Sequence, residues 1–375
     1  MKFITFLSVV LSHSVLANSG LVKMDSSFRH QLTPDCKKEV LNPHLGGDIF
    51  YVECSENLDV SLEVNQTWQL ATTNDPESSD QWALEAQNIF KWWEAGRVGS
   101  TEVTVAIIDS GVNVDHEDFD PSLFVNTKEI NNNGIDDDQN GYIDDYYGWN
   151  AVDSNTALYD PYNHGNGIAG VIGAKSNNSI GIAGLNWKVK IVPVKFIGGN
   201  GGGTTDIAIK SIDYAVSRGA KIINLSWGGY NDSPLLKEVM ERCRKLGVLF
   251  IAASGNEKND NDIKPFYPAS FELDNIISVG SISFHKALSD FSNFGKKTVH
   301  VLAPGESILT TVSTARYGYQ KGTSFAAPQI TGVAALIWAQ YPDWSYQEVK
   351  NFIMQKCVQS DDLKEKVLCG GYFSF

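Results

Sequence analysis

Short apolar strands that alternate with amphipathic helices constrain this fold more than any other feature of the chain. Residues 103–108 form a nearly continuous β-branched run, which is typical of a strand covered on both faces. Similar runs follow at residues 189–197, 221–225, 248–253, 276–279 and 299–302. Helical periodicity lies between several of them, as in residues 207–216 and 234–246, and a glycine follows each of these two. The alternation predicts an α/β fold with a mainly parallel central sheet and helices on both faces.

The first residues have the features of a secretory signal. Lys2 precedes an apolar run, residues 3–11, that is too short to span a bilayer, and residues 15–17 provide a cleavage site. We therefore predict a signal peptide at residues 1–17 and a secreted or periplasmic protein. A buried strand or a membrane anchor is the alternative for this segment. Later apolar runs are too short or interrupted to cross a membrane, so we expect a soluble mature protein without a membrane partner.

A polar stretch, residues 71–80, separates two regions of different pattern and predicts an exposed linker. Before it, residues 49–52 and 59–64 are short strand candidates. We place a domain boundary there, with an N-terminal segment at residues 18–73 and the main domain at residues 74–375.

Charge and cysteine content exclude several classes of protein. Lysine and arginine total 30 against 44 aspartates and glutamates, a net charge of −14, which disfavours nucleic acid as a partner. The five cysteines are too few for a disulfide scaffold. Local pairing of Cys36 with Cys54 and of Cys357 with Cys369 is the simplest arrangement, although spacing does not fix connectivity. Cys243 falls at apolar helical spacing and is predicted to be a core residue.

Three separate segments together predict a nucleophilic site. Asp109 follows the strand at residues 103–108, His164 opens a small-residue helix, and Ser324 opens an apolar helix. Taken singly, each has an ordinary structural explanation as a turn cap, a structural histidine or a helix cap. Together they supply a nucleophile, a base and an acid that holds the base, in an order in which such triads recur.

These segments resemble the three catalytic blocks of the subtilisin-like serine proteases, the subtilases, with Gly-Thr-Ser-Phe-Ala-Ala-Pro at residues 322–328 the most specific. The resemblance covers about residues 74–356. It implies a three-layer subtilisin-like fold and a secreted serine endopeptidase, monomeric, that cleaves peptide bonds through an acyl-enzyme. Asp109 would orient the base, His164 would act as base and then acid, and Ser324 would attack. Asn256 would donate its amide to the oxyanion.

The resemblance also implies residues that bind an extended peptide or protein substrate: Gly201, Gly202, Gly203, Ser226, Trp227, Gly228, Ala253 and Gly255. It implies a cis peptide bond before Pro268. The chain departs from the family pattern at Asn166 and Gly167, where we expect altered substrate contacts, and at Phe325, where relatives often have methionine. Its last residues, 369–375, stand where many relatives continue into a terminal helix.

Residues 18–73 occupy the place of the family's propeptide, so the chain's own N-terminal segment is a candidate inhibitor and the protein a candidate zymogen. We expect self-cleavage near residues 71–74. The alternative is a retained extension tied by Cys36 and Cys54.

Calcium is predicted at two places. One is an acidic segment with oxygen ligands at alternate positions, similar to the start of an EF-hand loop. A solvated acidic loop that binds no metal would show the same pattern. Its candidate ligands are Asp136, Asp138, Asn140, Tyr142, Asp144 and Asp145. The other rests on the resemblance alone, and its candidate ligands are Asp75, Asp118, Ser176, Asn178, Ile180 and Ile182. Calcium would stabilise the fold there without entering the chemistry.

Two rival functions stay open. One is a catalytically silent binding protein, and the other is a processing protease with one physiological substrate. Asp260 and Asp262 would favour a basic residue at the cut if they face the substrate, or form a solvated loop if they do not.

Overall fold

The computed structural model describes residues 73–120, 122–313 and 316–375, together with the backbone of residues 17–23, 37–40 and 49–58. The chain divides into two compact units, residues 1–70 and 71–375, and each is described by itself. Residues 1–16 of the predicted signal, Cys36 and the predicted strand at residues 59–64 lie outside the described residues.

The first unit contains a three-stranded antiparallel sheet. Its strands are β1 (Ala17–Lys23), β2 (Lys37–Val40) and β3 (Ile49–Leu58), in the order β1-β3-β2. The predicted strand at residues 49–52 is confirmed as the first part of β3, which forms the centre of this sheet.

The second unit is built on a nine-stranded sheet in the order β13-β14-β10-β9-β8-β7-β4-β6-β5. Every neighbouring pair is parallel except β13 with β14. The strands are β4 (Gly99–Asp109), β5 (Trp149–Asn150), β6 (Lys188–Lys195), β7 (Ile222–Leu225), β8 (Leu249–Ala253), β9 (Ile276–Ile282), β10 (Val301–Pro304), β13 (Cys357–Gln359) and β14 (Gly371–Phe373). A separate hairpin pairs β11 (Ile308–Ser313) with β12 (Arg316–Gln320). All six predicted runs are strands, and the mainly parallel sheet is confirmed.

Helices cover both faces of the sheet. They are α1 (Trp82–Ala86), α2 (Ile89–Glu94), α3 (His164–Gly173), α4 (Thr205–Ser217), α5 (Pro234–Lys245), α6 (Thr323–Gln340) and α7 (Tyr346–Gln355). Alternate residues of β4 enter different cores: Val105 and Ile107 pack with α3 and α6, whereas Ala106 and Ile108 pack with α4 and α5. Since strand side chains alternate between faces, these two cores define three layers.

The innermost helix, α6, is buried along almost its whole length. It has little amphipathic character because it lies against the sheet on one side and other helices around it. Small residues permit this packing. A Cβ atom at Gly332 would lie 2.8 Å from the Cβ and Cδ1 atoms of Leu185. The helix therefore holds its N-terminus rigidly at one place on the sheet edge.

The C-terminal tail completes the sheet. β14 lies parallel to β10 and pairs with β13, so both of these late segments are strands of the main sheet. A disulfide joins Cys357 to Cys369, which confirms that predicted pairing. Cys243 is a buried free cysteine, as predicted, and burial raises the pKa of its thiol to about 11. The Tyr267–Pro268 bond is cis, also as predicted.

The stretch predicted as an exposed linker, residues 71–80, is only partly exposed where it is described. A short 3-10 helix spans Ser78–Asp80, but Asp75 is buried and its carboxylate accepts hydrogen bonds from the backbone N–H groups of Asn177 and Asn178. The prediction is wrong for Asp75, because polarity alone does not reveal a carboxylate bound to a distant loop. Among the helices of the described residues, none is long and apolar enough to cross a bilayer.

Candidate active site

Asp109 and His164 meet at the carboxyl edge of the sheet. Asp109 is the last residue of β4 and is fully buried, and His164 is the first residue of α3. The Nδ1 atom of His164 lies 2.7 Å from Asp109 Oδ1. Since an ionised carboxylate only accepts, Nδ1 carries the proton and Nε2 is left as the basic nitrogen. The imidazole side chain is 29% exposed, so this nitrogen is open to a substrate.

The N-terminus of α3 is held against the hairpin of β11 and β12. The hydroxyls of Thr310 and Thr311 donate to the backbone oxygens of Gly167 and Asn166, at 2.6 and 2.7 Å. A Cβ atom at Gly170 would lie 2.4 Å from Thr311 Oγ1. Glycine at position 170 therefore permits the close approach that fixes where His164 stands.

Ser324 lies in the first turn of α6, after Gly322 with φ 140°, a conformation that favours glycine. Its carbonyl oxygen accepts a 2.7 Å hydrogen bond from the Ser226 hydroxyl, which in turn accepts from Asn224. The ring of Phe325, next in the chain, lies 5.4 Å from the His164 ring, centroid to centroid. The hydrogen bonds of the described residues include none between His164 and Ser324, and such bonds often tighten only when substrate is bound.

Asn256 has its amide oriented toward the same place. Its Oδ1 atom accepts from the backbone N–H of Thr323 at 2.8 Å and from the Thr323 hydroxyl at 3.0 Å. The Nδ2 group is thereby turned outward. Ser324 Oγ and Asn256 Nδ2 lie 2.8 and 3.5 Å from the point where a Cβ atom of Gly322 would stand. A side chain at position 322 would fill this space, so glycine keeps it open for an oxyanion.

A second buried carboxylate, Asp160, was missed by sequence reasoning. Asp160 Oδ2 accepts from the backbone N–H of Asn166, and Oδ1 accepts from that of Tyr162. Ser110 links the neighbourhood, since its hydroxyl donates to Asp109 Oδ1 and accepts from the Gly165 N–H. Burial raises the pKa of Asp160. An aspartate four residues before the histidine in a polar loop gave no sequence signal, because nothing local shows that the loop folds inward.

Two opposing effects set the basicity of His164. Burial lowers the pKa of its imidazole, but the Asp109 carboxylate, through its charge and hydrogen bond, raises it, with a smaller contribution from the charge of Asp160. The net result is a pKa raised above 6.5. The charge and the hydrogen bond of the Asp109 carboxylate thus make the imidazole a stronger proton acceptor than a free one, which suits it to act as a general base.

The predicted substrate segments line a cleft of about 340 Å³. Gly201, Gly202 and Gly203 belong to its lining, and so do Trp227, Gly228 and Tyr267. The Trp227 indole donates to the Ile108 carbonyl oxygen at 2.8 Å, which ties this wall to the strand that carries Asp109. Ser226, Ala253 and Gly255 lie outside the lining of this cleft, at the ends of β7 and β8. Gly255 donates its N–H to Thr323 Oγ1, beside Ser324.

Asn166 and Gly167, where the chain departs from the family pattern, are both buried in α3. The Asn166 Oδ1 atom accepts from the Asn113 backbone N–H, and a Cβ atom at Gly167 would lie 2.9 Å from the Phe325 ring. The expectation that these two residues alter substrate contacts is therefore wrong, because both face the interior. Asp260 and Asp262 are held by neighbouring donors: Asp260 Oδ1 accepts from the Asp262 N–H, and Asp262 Oδ1 accepts from the Thr298 N–H and hydroxyl.

The acidic loop is folded around its own carboxylates. Asp138 and Asp145 lie with Glu129 so that one oxygen of each falls within 4.8 Å of the others. Asp136 instead accepts from the N–H groups of Asn140 and Gly141, and Asp144 from those of Asn133 and Gly134. The Tyr142 ring packs 4.9 Å from Trp149 and 4.8 Å from Tyr214, centroid to centroid.

Arg218 already contributes positive charge to this cluster. Its Nη1 atom lies 3.2 Å from Asp145 Oδ2 and 3.8 Å from Asp138 Oδ2. Asn126 and Asn140 also donate to Asp145 Oδ1. Sequence reasoning missed Glu129 because it lies seven residues before the acidic run. Its Oε1 and Oε2 atoms accept from the N–H groups of Asp138 and Asp144.

The second candidate metal site brings three distant segments together. Asp118 is fully buried, and its Oδ1 atom lies 2.7 Å from Asn178 Nδ2. Asp75 reaches the same loop through the N–H groups of Asn177 and Asn178. Burial raises the pKa of Asp118 to about 6, and the charge of Asp75 acts in the same direction. Ser176, Ile180 and Ile182 belong to this loop, and Ile182 donates its N–H to Asp118 Oδ2.

Comparison with known proteins gives one consistent result. The sequence profile of the subtilase family matches residues 100–370. Subtilisin-like protease 1 of Plasmodium berghei is 32% identical over 341 residues, which cover 86% of this chain and 56% of that protein. The major intracellular serine protease of Bacillus subtilis is 37% identical over 259 residues, 68% of this chain and 73% of that protein. This chain spans about half, or less, of the length of the Plasmodium relatives.

Solved structures agree. The crystal structure of a cold-adapted subtilisin-like serine proteinase superposes with a TM-score of 0.57 at 27% identity, over 73% of this chain and 89% of that one. A protease from Pseudoalteromonas arctica superposes with a TM-score of 0.65 at 24% identity, over 81% of this chain and 97% of that one. The second likeness, at its lower identity, concerns the fold alone.

Proposed function

This chain belongs to the subtilase family, and from that premise we propose that it is a serine endopeptidase that hydrolyses peptide bonds through an acyl-enzyme. The observation that supports this most directly is the arrangement of Asp109, His164, Ser324 and Asn256. Four separate chain segments place an acid, a base, a serine and a fixed amide at one sheet edge. A silent binding protein would not need all four in these roles.

Each group has a defined task in the proposed reaction. Ser324 Oγ attacks the peptide carbonyl while His164 Nε2 takes its proton, and Asp109 holds the resulting imidazolium. The tetrahedral oxyanion is bound by Asn256 Nδ2 and the backbone N–H of Ser324. His164 then protonates the leaving amine, and water activated by the same nitrogen hydrolyses the ester.

Substrate would bind as an extended strand. The glycines at 201–203 and the segment at 226–228 would pair with its backbone, since glycine edges let a peptide backbone approach closely. Tyr267 and Phe271, which line the same cleft, give it an apolar wall. We therefore expect unfolded or flexible protein segments, rather than folded surfaces, to be cleaved.

Calcium fits the pair of carboxylates at Asp75 and Asp118 better than it fits the acidic loop. Hard oxygen donors are what calcium prefers, and the groups that shift the pKa of Asp118 include no cationic side chain. Asp138 and Asp145, by contrast, already pair with Arg218. When bound, calcium would neutralise the buried charge and cross-link residues 75, 118 and 176–182. Secretion, removal of residues 18–73 near residues 71–74, inhibition by that segment and a monomeric state remain part of the proposal.

The test is hydrolysis of a mixed peptide library by the purified chain beside its Ser324→Ala variant. Loss of a triad nucleophile costs on the order of 10⁶ in turnover, a figure measured in subtilisin, a member of this same family. We expect cleavage that disappears in the variant. Equal cleavage by both proteins would refute the assignment of Ser324, and absence of cleavage by a folded chain whose N-terminal segment has been released would favour a binding protein. Absence of cleavage with the segment still attached calls for release of the segment by limited proteolysis before the same comparison.

A further inference from the structure

A second cavity lies at the amino ends of the strands, away from the active site. It encloses about 230 Å³ beside the start of β9 and is lined by residues 269–274, by Lys297, Thr298 and His300, and by Lys350 of α7. Lys350 is half-buried there. Phe271 also lines the substrate cleft, but the proposed peptidase chemistry uses none of the titratable groups of this cavity.

Three neighbours surround the Lys350 amine. Its Nζ atom donates to the carbonyl oxygen of Ile276 at 2.6 Å and to that of Asp274 at 3.1 Å. The third neighbour is the Nε2 atom of His300, 3.3 Å away. Because three polar atoms surround the amine, the direction of each hydrogen bond depends on how many protons the amine carries.

The protonation state of Lys350 follows from that of His300. The backbone N–H of Ser278 donates to His300 Nδ1 at 2.9 Å, so Nδ1 presents its lone pair and the neutral ring carries its proton on Nε2. This Nε2–H is directed at Lys350 Nζ. An ammonium group has no lone pair to accept it, whereas a neutral amine has one and keeps two N–H groups for the carbonyls of Ile276 and Asp274. The full set of hydrogen bonds therefore forms only in the uncharged state of Lys350, so this arrangement favours the neutral amine more than water does.

The surroundings of the two groups agree with this assignment. Burial lowers the pKa of Lys350 to about 8, against a smaller raising effect of the Asp274 charge. Burial, together with the charge that Lys350 carries when it is protonated, lowers the pKa of His300 to about 3, so the imidazole is neutral in either state of the lysine. The Asp274 carboxylate has other partners, since it accepts from the Tyr346 hydroxyl and lies 3.6 Å from an Arg244 nitrogen. Glu272 and Lys297, one of each charge, complete the charged lining of the cavity.

We propose that Lys350 is a site of reversible carbamate formation with carbon dioxide. The neutral Nζ attacks the carbon of CO₂, a new N–C bond forms, one C=O π bond becomes a carboxylate oxygen, and one N–H proton is released to water. The balance is Lys–NH₂ + CO₂ → Lys–NH–COO⁻ + H⁺, with no oxidant or further reactant.

The cavity suits this product. Carbon dioxide is small and uncharged, so it can reach a half-buried amine. The carbamate nitrogen keeps one N–H, which can donate to the Ile276 carbonyl. In the carbamate the nitrogen lone pair no longer accepts from His300, so His300 Nε2–H can donate to a carbamate oxygen. The positive charge of Lys297, in the cavity lining, would stabilise the negative charge of the carbamate. With a pKa near 8, about a fifth of the amine is neutral at pH 7.4, roughly 200 times the fraction for an ordinary lysine.

Trapping of the adduct tests the proposal. The full chain with Ser324→Ala, which prevents self-digestion, is equilibrated with ¹³C-bicarbonate at pH 7.4, alkylated with triethyloxonium ion and mapped by mass spectrometry. We expect trapped carbamate at Lys350 in more than about tenfold excess over Lys210, an exposed lysine on α4. The additional change Lys350→Met should remove that signal. Labelling spread evenly over the surface lysines would overturn the proposal.

A second measurement does not depend on any change at Lys350. Competitive labelling of the same chain with trace acetic anhydride across pH gives the titration of each lysine. Lys350 should titrate well below the range of an ordinary lysine, about 10.4. If Lys350 titrates in that ordinary range, the neutral-amine assignment is wrong, and so is the carbamate site.

Discussion

The change Asp118→Asn should stabilise the protein when calcium is absent and destabilise it when calcium is bound. The Asp118 carboxylate is fully buried, and burial raises its pKa from 3.8 to about 6. A group whose pKa is raised on folding contributes stability below its unfolded pKa and loses it as pH rises through the folded value. Without calcium, the ionised Asp118 should therefore weaken the fold progressively between about pH 4 and pH 6, and fully at pH 8.

The size of the effect follows from that shift. A difference of about 2 pKa units corresponds to about 3 kcal/mol of destabilisation at pH 8. Asparagine removes this cost. It can accept only one of the two hydrogen bonds that Asn178 and Ile182 donate, and loss of the other destabilises the variant by about 1 kcal/mol. In chelator, the variant should be more stable by about 2 kcal/mol. In calcium at about 1,000 times its dissociation constant, the native site gains about 4 kcal/mol that the variant loses, so the variant should be less stable by about 2 kcal/mol.

Thermal unfolding at one scan rate, on the Ser324→Ala background, measures both arms. A change of 2 kcal/mol corresponds to a shift in Tm of about 3 °C in a unit of this size, upward in chelator and downward in calcium. Asp120→Asn is the matched control, because Asp120 is exposed two residues away and should show little change in either solution. If Asp118→Asn shifts Tm by the same amount with and without calcium, the residue does not bind the ion and the reasoning fails.

Three further predictions concern the active site and the C-terminal tail. Asp160→Asn removes a charge that helps to raise the pKa of His164. The acid limb of the kcat/KM profile, which depends on neutral His164, should therefore move to lower pH. An unmoved limb would show that Asp160 does not act on His164. Gly170→Ala brings a methyl group within 2.4 Å of Thr311 Oγ1, which should cost about 1–3 kcal/mol of stability and lower kcat more than it raises KM; kinetics and thermal unfolding that match the parent would refute the packing argument. Removal of the Cys357–Cys369 bond by a double change to serine should destabilise the chain by about 3 kcal/mol in denaturant titration while kcat/KM on a peptide stays unchanged; a parallel loss of activity would connect the tail to the site.

The sequence predicts the sheet well because its strands are buried on both faces. Each β-branched run is long enough to be recognised without knowledge of its neighbours, and the observed strand at Gly99–Asp109 extends the predicted one by only a few residues. The order of the strands is not local information, since β4 lies between β6 and β7 through connections that no short pattern encodes. The position of Asp109 at the carboxyl edge follows from parallel pairing alone.

What the sequence does not reveal is mainly the partner of each polar group. Asp75, Asp160 and Glu129 all stand in polar stretches that predict exposure, yet backbone N–H groups of the same or distant loops turn their carboxylates inward. For Lys350, nothing local in the sequence distinguishes it from a solvated lysine on the surface of a helix. The lowered pKa of Lys350 goes with the tautomer of His300, which depends in turn on the backbone N–H of Ser278, 72 residues away from Lys350 in the chain. The protonation of Lys350 and of His300 is therefore set by tertiary hydrogen bonds, and measurement of the two pKa values is the direct test of the states assigned to them.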